Sequence, residues 1–576
     1  MSRTVAEELV ETLAQAGVQR IYGLVGDSLN PFTDALHRSG KVEWIHVRHE
    51  ETAAFAAGAE AQLTGKLAVC AGSCGPGNLH LINGLFDAHR SMAPVLAIAS
   101  HIPTSEIGSG YFQETHPDQL FRECSHYCEL ASNPRQMPHV LQSAMQHAVS
   151  KRGVSVVVLP GDIAALKAAA DTPGHGIVKA IPLVRPTDVD LGRLADLVNR
   201  ASKVTLFCGS GCAGAHDELL ALADKLKAPI GYAFRGKEWV EYDNPFAVGM
   251  SGLLGWGAAY KAMHDCDALL LLGTDFPYES FMPTTPKIAQ VDIRAERLGR
   301  RSKLDLGLCG DVRETIKALL PLVEQKPNRK FLDAMLEQHA ATQHKLRADV
   351  DAGRTRHPIH PGYVVATLDE LAGPDAIFTA DTGMCCVWGA RQLGAAKGRR
   401  LLGSFVHGSM ANAMPQAIGA QAANPGRQVI ALSGDGGFSM LMGDVLTLGQ
   451  HDLPVKIVLF NNNSLAMVQL EMEVAGMSPF GCNLKNPNFA ALAQAAGLFS
   501  VRVEDPVQVR PALKQALAYP GPALVDIVTD PNALAMPPRA TIQQAAGFAL
   551  AMTKLAFGGK TDDVLDTVAA NWREFL

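Results

Sequence analysis

The chain alternates short apolar runs with helix-forming patterns along three successive segments, and this alternation restricts the folds that it can adopt. Strands that alternate with helices are typical of parallel sheets packed against helices. The strand-like runs of the three segments are 20–25, 67–71, 95–99 and 154–159; then 204–208, 268–272 and 287–293; then 376–379, 428–433, 455–460 and 523–528. We therefore predict three doubly wound α/β domains with parallel sheets.

Changes in composition mark the boundaries between these segments. A polar, proline-bearing stretch at 168–186 is typical of a linker, and a charged helical pattern at 330–351 connects the second segment to the third. After Pro531 the chain changes to a short helical tail. The predicted units are the domains 1–182, 183–336 and 337–532, followed by the tail 533–576.

The size and charge of the chain exclude several classes of protein. With 576 residues it is too long for one hydrophobic core, and 47% hydrophobic and 19% charged residues are typical of a well-buried folded protein. The net charge of -6, without a long basic run, gives no electrostatic support to nucleic-acid binding. No stretch approaches the ~18 uninterrupted apolar residues that span a bilayer.

The N-terminal segment predicts a folded domain and not an export signal. Thr4 and Glu7 have the spacing of a capping box, and Val5, Leu9 and Leu13 recur at helical spacing. Because the segment lacks the apolar core of a signal peptide, we expect a cytoplasmic protein. The 11 cysteines agree with that compartment, since their spacing assembles no zinc site and reduced, mostly buried thiols are the expectation.

A glycine-rich turn follows the predicted strand 428–433. The turn is Gly434-Asp435-Gly436-Gly437, and Asn461-Asn462-Asn463 ends the next strand about 24 residues later. Glycines at the carboxyl end of a strand let backbone N–H groups approach phosphate oxygens, and carboxylate and amide oxygens are ligands that Mg²⁺ prefers. A Gly-Asp-Gly alone is often only a β-turn, but the paired asparagines favour a diphosphate and metal site.

A second feature lies where a strand-like run of the first segment passes into an alanine-rich helix. Glu50 and Glu51 follow Trp44-Ile-His-Val-Arg-His at this junction. On the residues alone, two carboxylates that complement the positive end of a helix explain the pattern. The alternative is a catalytic carboxylate.

These two features together resemble the thiamine-diphosphate enzymes, in which Gly-Asp-Gly and Asn-Asn stand at this spacing and a glutamate precedes an alanine-rich helix. Longer stretches resemble one group of that family, the FAD-containing, quinone-dependent pyruvate dehydrogenases of bacteria (the pyruvate oxidase type). The stretches that carry this resemblance are 68–87, 105–116 and 403–415. The resemblance extends over nearly the whole chain.

The resemblance implies roles for residues of the first and third segments. Glu50 would share a proton with the pyrimidine ring of thiamine diphosphate, so that the imino nitrogen of the ring removes the proton from the thiazolium carbon. The Gly408 carbonyl would contact the amino group of the cofactor, and Met410 would bend the cofactor so that its two rings meet. The implied Mg²⁺ ligands are Asp435, Asn462 and the Ser464 carbonyl. The further implied cofactor contacts are Ser409, Gly436, Gly437, Asn463, Leu465, Ala466, Met467 and Val468.

The second segment resembles the FAD domain of the same group. The implied flavin contacts are Ser251, Gly252, Leu253, Leu254, Thr274, Asp275, Phe276, Pro277, Tyr278 and Asp292. The segment also carries Gly209-Ser-Gly211-Cys-Ala-Gly214, which has the form of a dinucleotide fingerprint. We discount a nicotinamide cofactor because the next strand-like run, 229–233, does not end in the expected acidic residue. Two interpretations of residues 209–214 remain: the start of a helix near the flavin, or a tight turn.

Two positions near the implied substrate pocket depart from the pattern of that group. Thr382 stands where we expect valine and Met467 where we expect phenylalanine, whereas Phe112 and Gln113 match. A hydroxyl for a methyl and a flexible thioether for a ring make a pocket more polar and more adaptable. We expect that pyruvate is accepted with altered discrimination against larger keto acids. These four residues join Glu50 and Met410 as the predicted catalytic residues.

The tail 533–576 carries an apolar helical face. Its members are Val564, Leu565, Val568, Trp572, Phe575 and Leu576. One interpretation is packing on its own protein; the resemblance implies the other, reversible attachment to membrane lipid upon reduction, which gives access to ubiquinone. Because acidic and basic residues balance in the tail, attachment would depend on apolar burial. The expected location is cytoplasmic, and peripheral on the inner face of the cell membrane in the active state.

The predicted reaction is oxidative decarboxylation of pyruvate to acetate and CO2, with electrons passing through FAD to ubiquinone. The open alternatives are an acetolactate-synthase-like carboligase with non-redox FAD and a phosphate- and oxygen-dependent pyruvate oxidase. A scaffold without activity would lack Glu50, Asp435 or Asn462, and all three are present. In the resembled family the glutamate reaches a cofactor bound by the neighbouring subunit, which implies a homo-oligomer, a dimer commonly doubled to a tetramer.

Overall fold

The computed structural model describes residues 3–169, 177–178 and 182–533. In these ranges the chain forms three sheets whose strand pairs are parallel apart from one antiparallel pair, and helices alternate with the strands along the chain. The predicted fold class of three parallel α/β domains is therefore confirmed. The predicted tail, with its apolar face, lies outside the described residues, and so does most of the predicted linker.

The first domain contains a six-stranded sheet. Its strands are β1 (Arg20–Gly23), β2 (Glu43–His46), β3 (Ala68–Gly72), β4 (Val95–His101), β5 (Tyr127–Leu130) and β6 (Val154–Pro160). Its helices are α1 (Val5–Gln15), α2 (Asn30–Ser39), α3 (Glu50–Thr64), α4 (Pro76–Arg90), α5 (Pro117–Leu120), α6 (Met137–Lys151) and α7 (Gly161–Ala165). The strand order is β2-β1-β3-β4-β6-β5. Helix α1 begins at the predicted capping box, in which Thr4 and Glu7 exchange side-chain to backbone hydrogen bonds.

The middle domain contains a seven-stranded sheet. Its strands are β7 (Val204–Cys208), β8 (Ile230–Tyr232), β9 (Ala247–Met250), β10 (Trp256–Gly257), β11 (Ala268–Leu272), β12 (Lys287–Asp292) and β13 (Leu306–Cys309). Its helices are α8 (Asp188–Arg200), α9 (His216–Leu226), α10 (Lys237–Val240), α11 (Ala259–Asp265) and α12 (Val312–Leu319). The order β10-β9-β8-β7-β11-β12-β13 reverses between β7 and β11. Ligands of open α/β sheets bind at such a switch point.

Helix α13 (Lys330–Gly353), the predicted connector, leads into the third domain. The strands of that domain are β14 (Ile377–Ala380), β15 (Arg400–Gly403), β16 (Val429–Gly434), β17 (Lys456–Asn461), β18 (Phe499–Val503) and β19 (Ala523–Val528). Its helices are α14 (Pro361–Leu371), α15 (Met384–Gln392), α16 (Ala413–Ala423), α17 (Asp435–Leu441), α18 (Val445–Gln450), α19 (Ala466–Val474), α20 (Phe489–Ala495) and α21 (Pro506–Ala518). The order β15-β14-β16-β17-β19-β18 places the switch point between β14 and β16.

The alanine-rich sequence of α3 is explained by its position between two other helices. A Cβ added to Gly84 of α4 would lie 2.6 Å from Ala54 Cβ, and one added to Gly419 of α16 would overlap the Ala56 carbonyl. Small side chains therefore let α3 pack closely on α4 of its own domain and on α16 of the third domain. This packing joins the first and third domains around the start of α3.

Two further expectations concern thiols and membranes. All 11 cysteines are free of disulfides, and nine of them are buried, which agrees with the prediction of reduced, mostly buried thiols. Among the helices of the described ranges, none is both long and apolar enough to cross a membrane.

Candidate active site

The turn that begins α17 places Asp435 at the switch point of the third sheet. Only 2% of Asp435 is exposed. Its Oδ1 accepts a hydrogen bond from the Gly436 N–H at 2.9 Å, and its Oδ2 accepts from the Asn463 N–H and from Asn486 Nδ2, both at 2.7 Å. Burial raises the pKa of this carboxyl. A bound cation would offset that effect, because an opposite charge favours the ionised form.

The predicted asparagines lie beside this turn, at the end of β17. The Asn462 Oδ1 accepts from the Ser464 N–H at 3.0 Å, and Asn463 adopts a φ of 54° that aims its N–H at Asp435. Ala466 then begins α19. The structure thus gathers the predicted metal ligands at the carboxyl ends of two adjacent strands, β16 and β17. Their carboxylate, amide and carbonyl oxygens are a donor set that suits Mg²⁺.

A space beside Gly436 is bounded by two of the predicted cofactor residues. A Cβ added to Gly436 would lie 2.6 Å from Leu465 Cδ2 and 3.3 Å from Met410 Cε. The loop that carries Met410 turns at Gly408, whose φ is 78°. A side chain at Gly436 would fill the space, so glycine keeps the space between two apolar walls open to a phosphate. These residues fit the diphosphate end of thiamine diphosphate.

Glu50 begins α3 and is 5% exposed. Its Oε2 lies 2.9 Å from His80 Nδ1 on α4, and its Oε1 would lie 3.0 Å from a Cβ added to Gly77. The rings of His49 and His80 stack with centroids 4.2 Å apart. Glu50 therefore does stand at the positive end of a helix, as the simpler interpretation held, and it is also a buried carboxylate with a polar partner. Proton exchange with a cofactor ring requires a carboxylate that is buried and oriented by a polar partner in this way.

The four predicted substrate-pocket residues come from two domains. Phe112 and Gln113 belong to the first domain, where Phe112 is 75% exposed and the Gln113 Oε1 accepts from Cys74 Sγ at 3.2 Å. Thr382 and Met467 belong to the third domain, where Thr382 is half-buried just after β14 and Met467 packs partly buried on the core. Thr382 and Met467 thus lie near the switch point of the third sheet, whereas the Phe112 side chain is exposed to solvent.

The loops after β7 and β11 touch at the switch point of the middle sheet. The Gly211 N–H donates to the Gly273 carbonyl at 2.9 Å, and a Cβ added to Gly211 would lie 2.6 Å from Gly273 Cα. The glycine motif forms a 3-10 turn at Ser210–Cys212, and β8 ends at Tyr232. The absence of an acidic residue at the end of β8 agrees with our rejection of a nicotinamide cofactor.

The predicted flavin contacts line the same edge of the middle sheet. Ser251 is 4% exposed, and its Oγ has no hydrogen-bond partner among the described residues. A Cβ added to Gly252 would lie 3.0 Å from Phe276 Cε2, and the Phe276 ring packs edge-on against Tyr278 at 5.4 Å. Asp292 ends β12, and burial raises the pKa of its carboxyl. The remaining predicted contacts on these loops are Leu253, Leu254, Thr274, Asp275 and Pro277. An unpartnered buried hydroxyl, aromatic rings and a strand-end carboxylate fit a flavin nucleotide.

Several polar groups of the site escaped the sequence analysis. Asp381 lies fully buried after β14, its Oδ1 accepts from the Ala413 N–H at 2.8 Å, and burial raises its pKa to about 7. Asn486 bridges Asp435 and Asn461 from a loop 51 residues after Asp435. Asp381 could have been identified as a candidate site residue, because it follows a predicted strand. Asn486 has no such signal, because no motif surrounds it.

Three family models match successive parts of the chain. They describe the N-terminal TPP binding domain, the central domain and the C-terminal TPP binding domain of thiamine pyrophosphate enzymes, and they match residues 3–120, 191–319 and 381–527. The three matches fall in the first, middle and third domains, in that order.

Curated relatives are similar along nearly the whole chain. A putative thiamine pyrophosphate-containing protein, YdaP of Bacillus subtilis, is 35% identical over 96% of both chains. Pyruvate oxidase of Lactiplantibacillus plantarum is 31% identical over 90% of this chain and 87% of its own. A probable acetolactate synthase large subunit of Methanocaldococcus jannaschii is 31% identical over 92% of this chain and 93% of its own. The equal identities do not discriminate between an oxidase and a carboligase.

Proposed function

The chain belongs to the thiamine pyrophosphate enzyme family, and from this membership we propose that it oxidatively decarboxylates pyruvate to acetate and CO2, passing electrons through FAD to ubiquinone. Membership confirms thiamine diphosphate as the predicted cofactor. The observation that carries the proposal is the presence, in one chain, of the Met410–Gly436 space and of the buried Ser251 hydroxyl, which has no hydrogen-bond partner among the described residues and follows β9 of the middle sheet. In this proposal, residues 1–182 form the domain that binds the pyrimidine ring, residues 183–336 the domain that binds FAD, and residues 337–532 the domain that binds the diphosphate.

The third domain supplies the groups that hold the cofactor. Asp435, Asn462 and the Ser464 carbonyl would bind Mg²⁺, and the space beside Gly436 would take the diphosphate. When bound, thiamine diphosphate supplies the thiazolium ring that accepts the electron pair released by decarboxylation. The Met410 side chain lies at the wall of the space and would bend the cofactor so that its two rings meet.

The first domain supplies the proton-transfer group. Glu50 would exchange a proton with the aminopyrimidine ring, and the contact of 2.9 Å with His80 orients the carboxyl. Phe112 and Gln113 would meet the substrate from the same domain, and Thr382 and Met467 from the third domain. A polar and adaptable pocket at the last two positions accepts pyruvate with weaker discrimination against larger keto acids.

Exposed apolar side chains near the site support a homodimer. Phe112, Met440 and Phe480 are 75%, 61% and 87% exposed; Phe112 is itself a predicted pocket residue, and Met440 lies on α17, which begins at Asp435. A contiguous patch of exposed apolar side chains marks a surface that another chain covers, and we propose that these side chains belong to such a patch. A second copy of the chain would cover them and place its own Glu50 against the Asp435 turn, in an isologous pair that is doubled to a dimer of dimers.

The location follows from the proposed electron acceptor. Ubiquinone resides in membranes, so the cytoplasmic enzyme would attach to the inner face of the cell membrane when reduced. The apolar face of the tail 533–576, read from the sequence, supports this attachment.

A carboligase of the acetolactate synthase type is the second candidate, because the identity of 31% to such a protein equals that to pyruvate oxidase. Anaerobic addition of pyruvate to the purified protein separates the two. The proposal predicts bleaching of the flavin, which quinone reverses. An unbleached flavin with acetolactate as the product would establish the carboligase, and acetyl phosphate with peroxide in air would establish the oxygen-dependent oxidase.

A further inference from the structure

Asn83 on α4 joins two loops that carry predicted cofactor residues. Its Nδ2 donates to Glu51 Oε1 and to Ser409 Oγ, both at 2.8 Å, and its Oδ1 accepts from His407 Nε2 at 2.8 Å. Because a carboxylate can only accept, Nδ2 has to face Glu51, and this fixes the orientation of the amide. His407 then carries its proton on Nε2. The amide of Asn83 thus links the first turn of α3 to the loop before α16.

The loop that Asn83 contacts is the one that presents Met410. The Ser409 Oγ that accepts from Asn83 donates in turn to the Met410 carbonyl at 2.9 Å, and the Ser409 N–H donates to Ser404 Oγ at 2.9 Å. Gly408 lies between the two residues that Asn83 touches, and its φ of 78° is a conformation that glycine adopts readily because it has no Cβ. Asn83 therefore constrains the loop on both sides of Gly408.

A second contact from the same helix reinforces this constraint. The ring of Phe86, one turn after Asn83 on α4, stacks on the His407 ring with centroids 5.6 Å apart and an interplanar angle of 12°. Burial lowers the pKa of His407, so the imidazole stays neutral and keeps one donor for Asn83. Helix α4 thus fixes His407 by stacking and by a hydrogen bond.

We propose that Asn83 is a positioning residue that holds the Gly408–Met410 loop of the third domain in its cofactor-binding conformation. The inference rests on the cofactor roles proposed for Gly408 and Met410. An amide is required because it donates to two acceptors and accepts from one donor. An aspartate of the same shape cannot donate to Glu51 or Ser409, and it places a second carboxylate beside Glu51.

The test measures the binding of thiamine diphosphate to apo-protein in the presence of Mg²⁺, through quenching of tryptophan fluorescence. We expect Asn83→Ala to weaken binding about tenfold, the effect of losing a well-placed hydrogen bond to a charged network. Asn83→Asp should weaken it at least as much, although its shape is unchanged. Asn328→Ala, which removes an exposed asparagine of the connector, should bind like wild type. Melting temperatures of the apo-proteins establish that the variants are folded.

A double-mutant cycle with Ser409→Ala separates positioning from packing. If Asn83 acts through Ser409, the two losses of affinity should not add in the double variant. Wild-type affinity in Asn83→Asp, or fully additive losses, would overturn the inference. Normal cofactor binding without flavin bleaching by pyruvate would contradict the proposed reaction and leave the role of Asn83 standing, whereas a wild type that binds no thiamine diphosphate would overturn both.

Discussion

At the residue scale, Glu50 and Asp435 show how far local sequence predicts a site. Both carboxylates stand at element ends, and the family resemblance singled out Glu50; the structure buries both, with exposures of 5% and 2%. Their partners were not predicted. His80 reaches Glu50 because α4 packs on α3, and a contact between two helices leaves no local motif. The sequence therefore identified the candidate groups, and packing between elements decides what orients them.

Replacing Glu50 by glutamine tests the proton-transfer role. The amide keeps the size of the side chain but cannot exchange a proton, so kcat for pyruvate should fall by ~10²–10⁴-fold. The melting temperature should stay close to that of wild type. The exposed Glu43→Gln is the matched control and should retain full activity. Steady-state kinetics with pyruvate give the answer, and activity within threefold of wild type in the Glu50 variant would refute the role.

Met467 tests the proposed substrate preference. Met467→Phe replaces an adaptable side chain by a rigid ring, so the ratio of kcat/KM for pyruvate to that for 2-oxobutanoate should rise by up to about tenfold, the scale of one methylene in a pocket. Met472→Phe, half-buried on the same helix, is the control and should leave the ratio unchanged. An unchanged ratio in Met467→Phe would remove Met467 from the pocket.

At the element scale, burial decides which strands the sequence predicts. The central strands β7, β11 and β19 begin and end at the predicted residues, because they are buried along nearly their whole length and read as continuous apolar runs. The edge strand β18 was not predicted, and β2 was recognised only as a strand-like run before Glu50, without its bounds. Most of their residues are only partly buried, so their sequences lack a continuous apolar run. The switch points lie between central strands, so the sequence was sufficient to predict the strands that border them.

The turn from β16 into α17 offers a test of the proposed phosphate contact. Gly436→Ala places a methyl 2.6 Å from Leu465 Cδ2, so it should fill the space and weaken thiamine diphosphate binding at least tenfold. Gly443→Ala is the control, since a Cβ there meets nothing within 4 Å. Titration of both apo-proteins with the cofactor decides the matter. Equal affinities would show that the diphosphate does not pass Gly436.

At the scale of the whole molecule, Asp87 lies where the three domains meet. It belongs to α4, is 1% exposed, and accepts a hydrogen bond from Gln416 of the third domain at 3.1 Å. Burial raises the pKa of its carboxyl to about 6, against the lowering effects of Ser404, Arg235 of the middle domain, and Gln416. Sequence could not predict this junction, because residues of three domains meet only after each domain has folded.

The raised pKa of Asp87 predicts a pH-dependent stability. Because the folded pKa of about 6 exceeds the ordinary 3.8, the contribution of the protonated carboxyl is complete below about pH 4 and is lost as the pH rises through about 6. Asp87→Asn cannot ionise, so its melting temperature should rise relative to wild type between pH 5 and pH 8. The exposed Asp452→Asn should show a constant difference. A constant difference for Asp87→Asn as well would show that its carboxyl titrates normally.

The central claim is that Glu50 of one chain and Asp435 of another form one decarboxylating site. Glu50→Gln and Asp435→Asn chains are co-expressed, and CO2 release from carboxyl-labelled pyruvate is compared with that of each variant alone. Each variant alone should be nearly inactive. The mixture should regain about a quarter of wild-type activity, because half of the randomly formed dimers are hybrids and each hybrid contains one intact site. A mixture that stays as inactive as its parents would contradict the shared site.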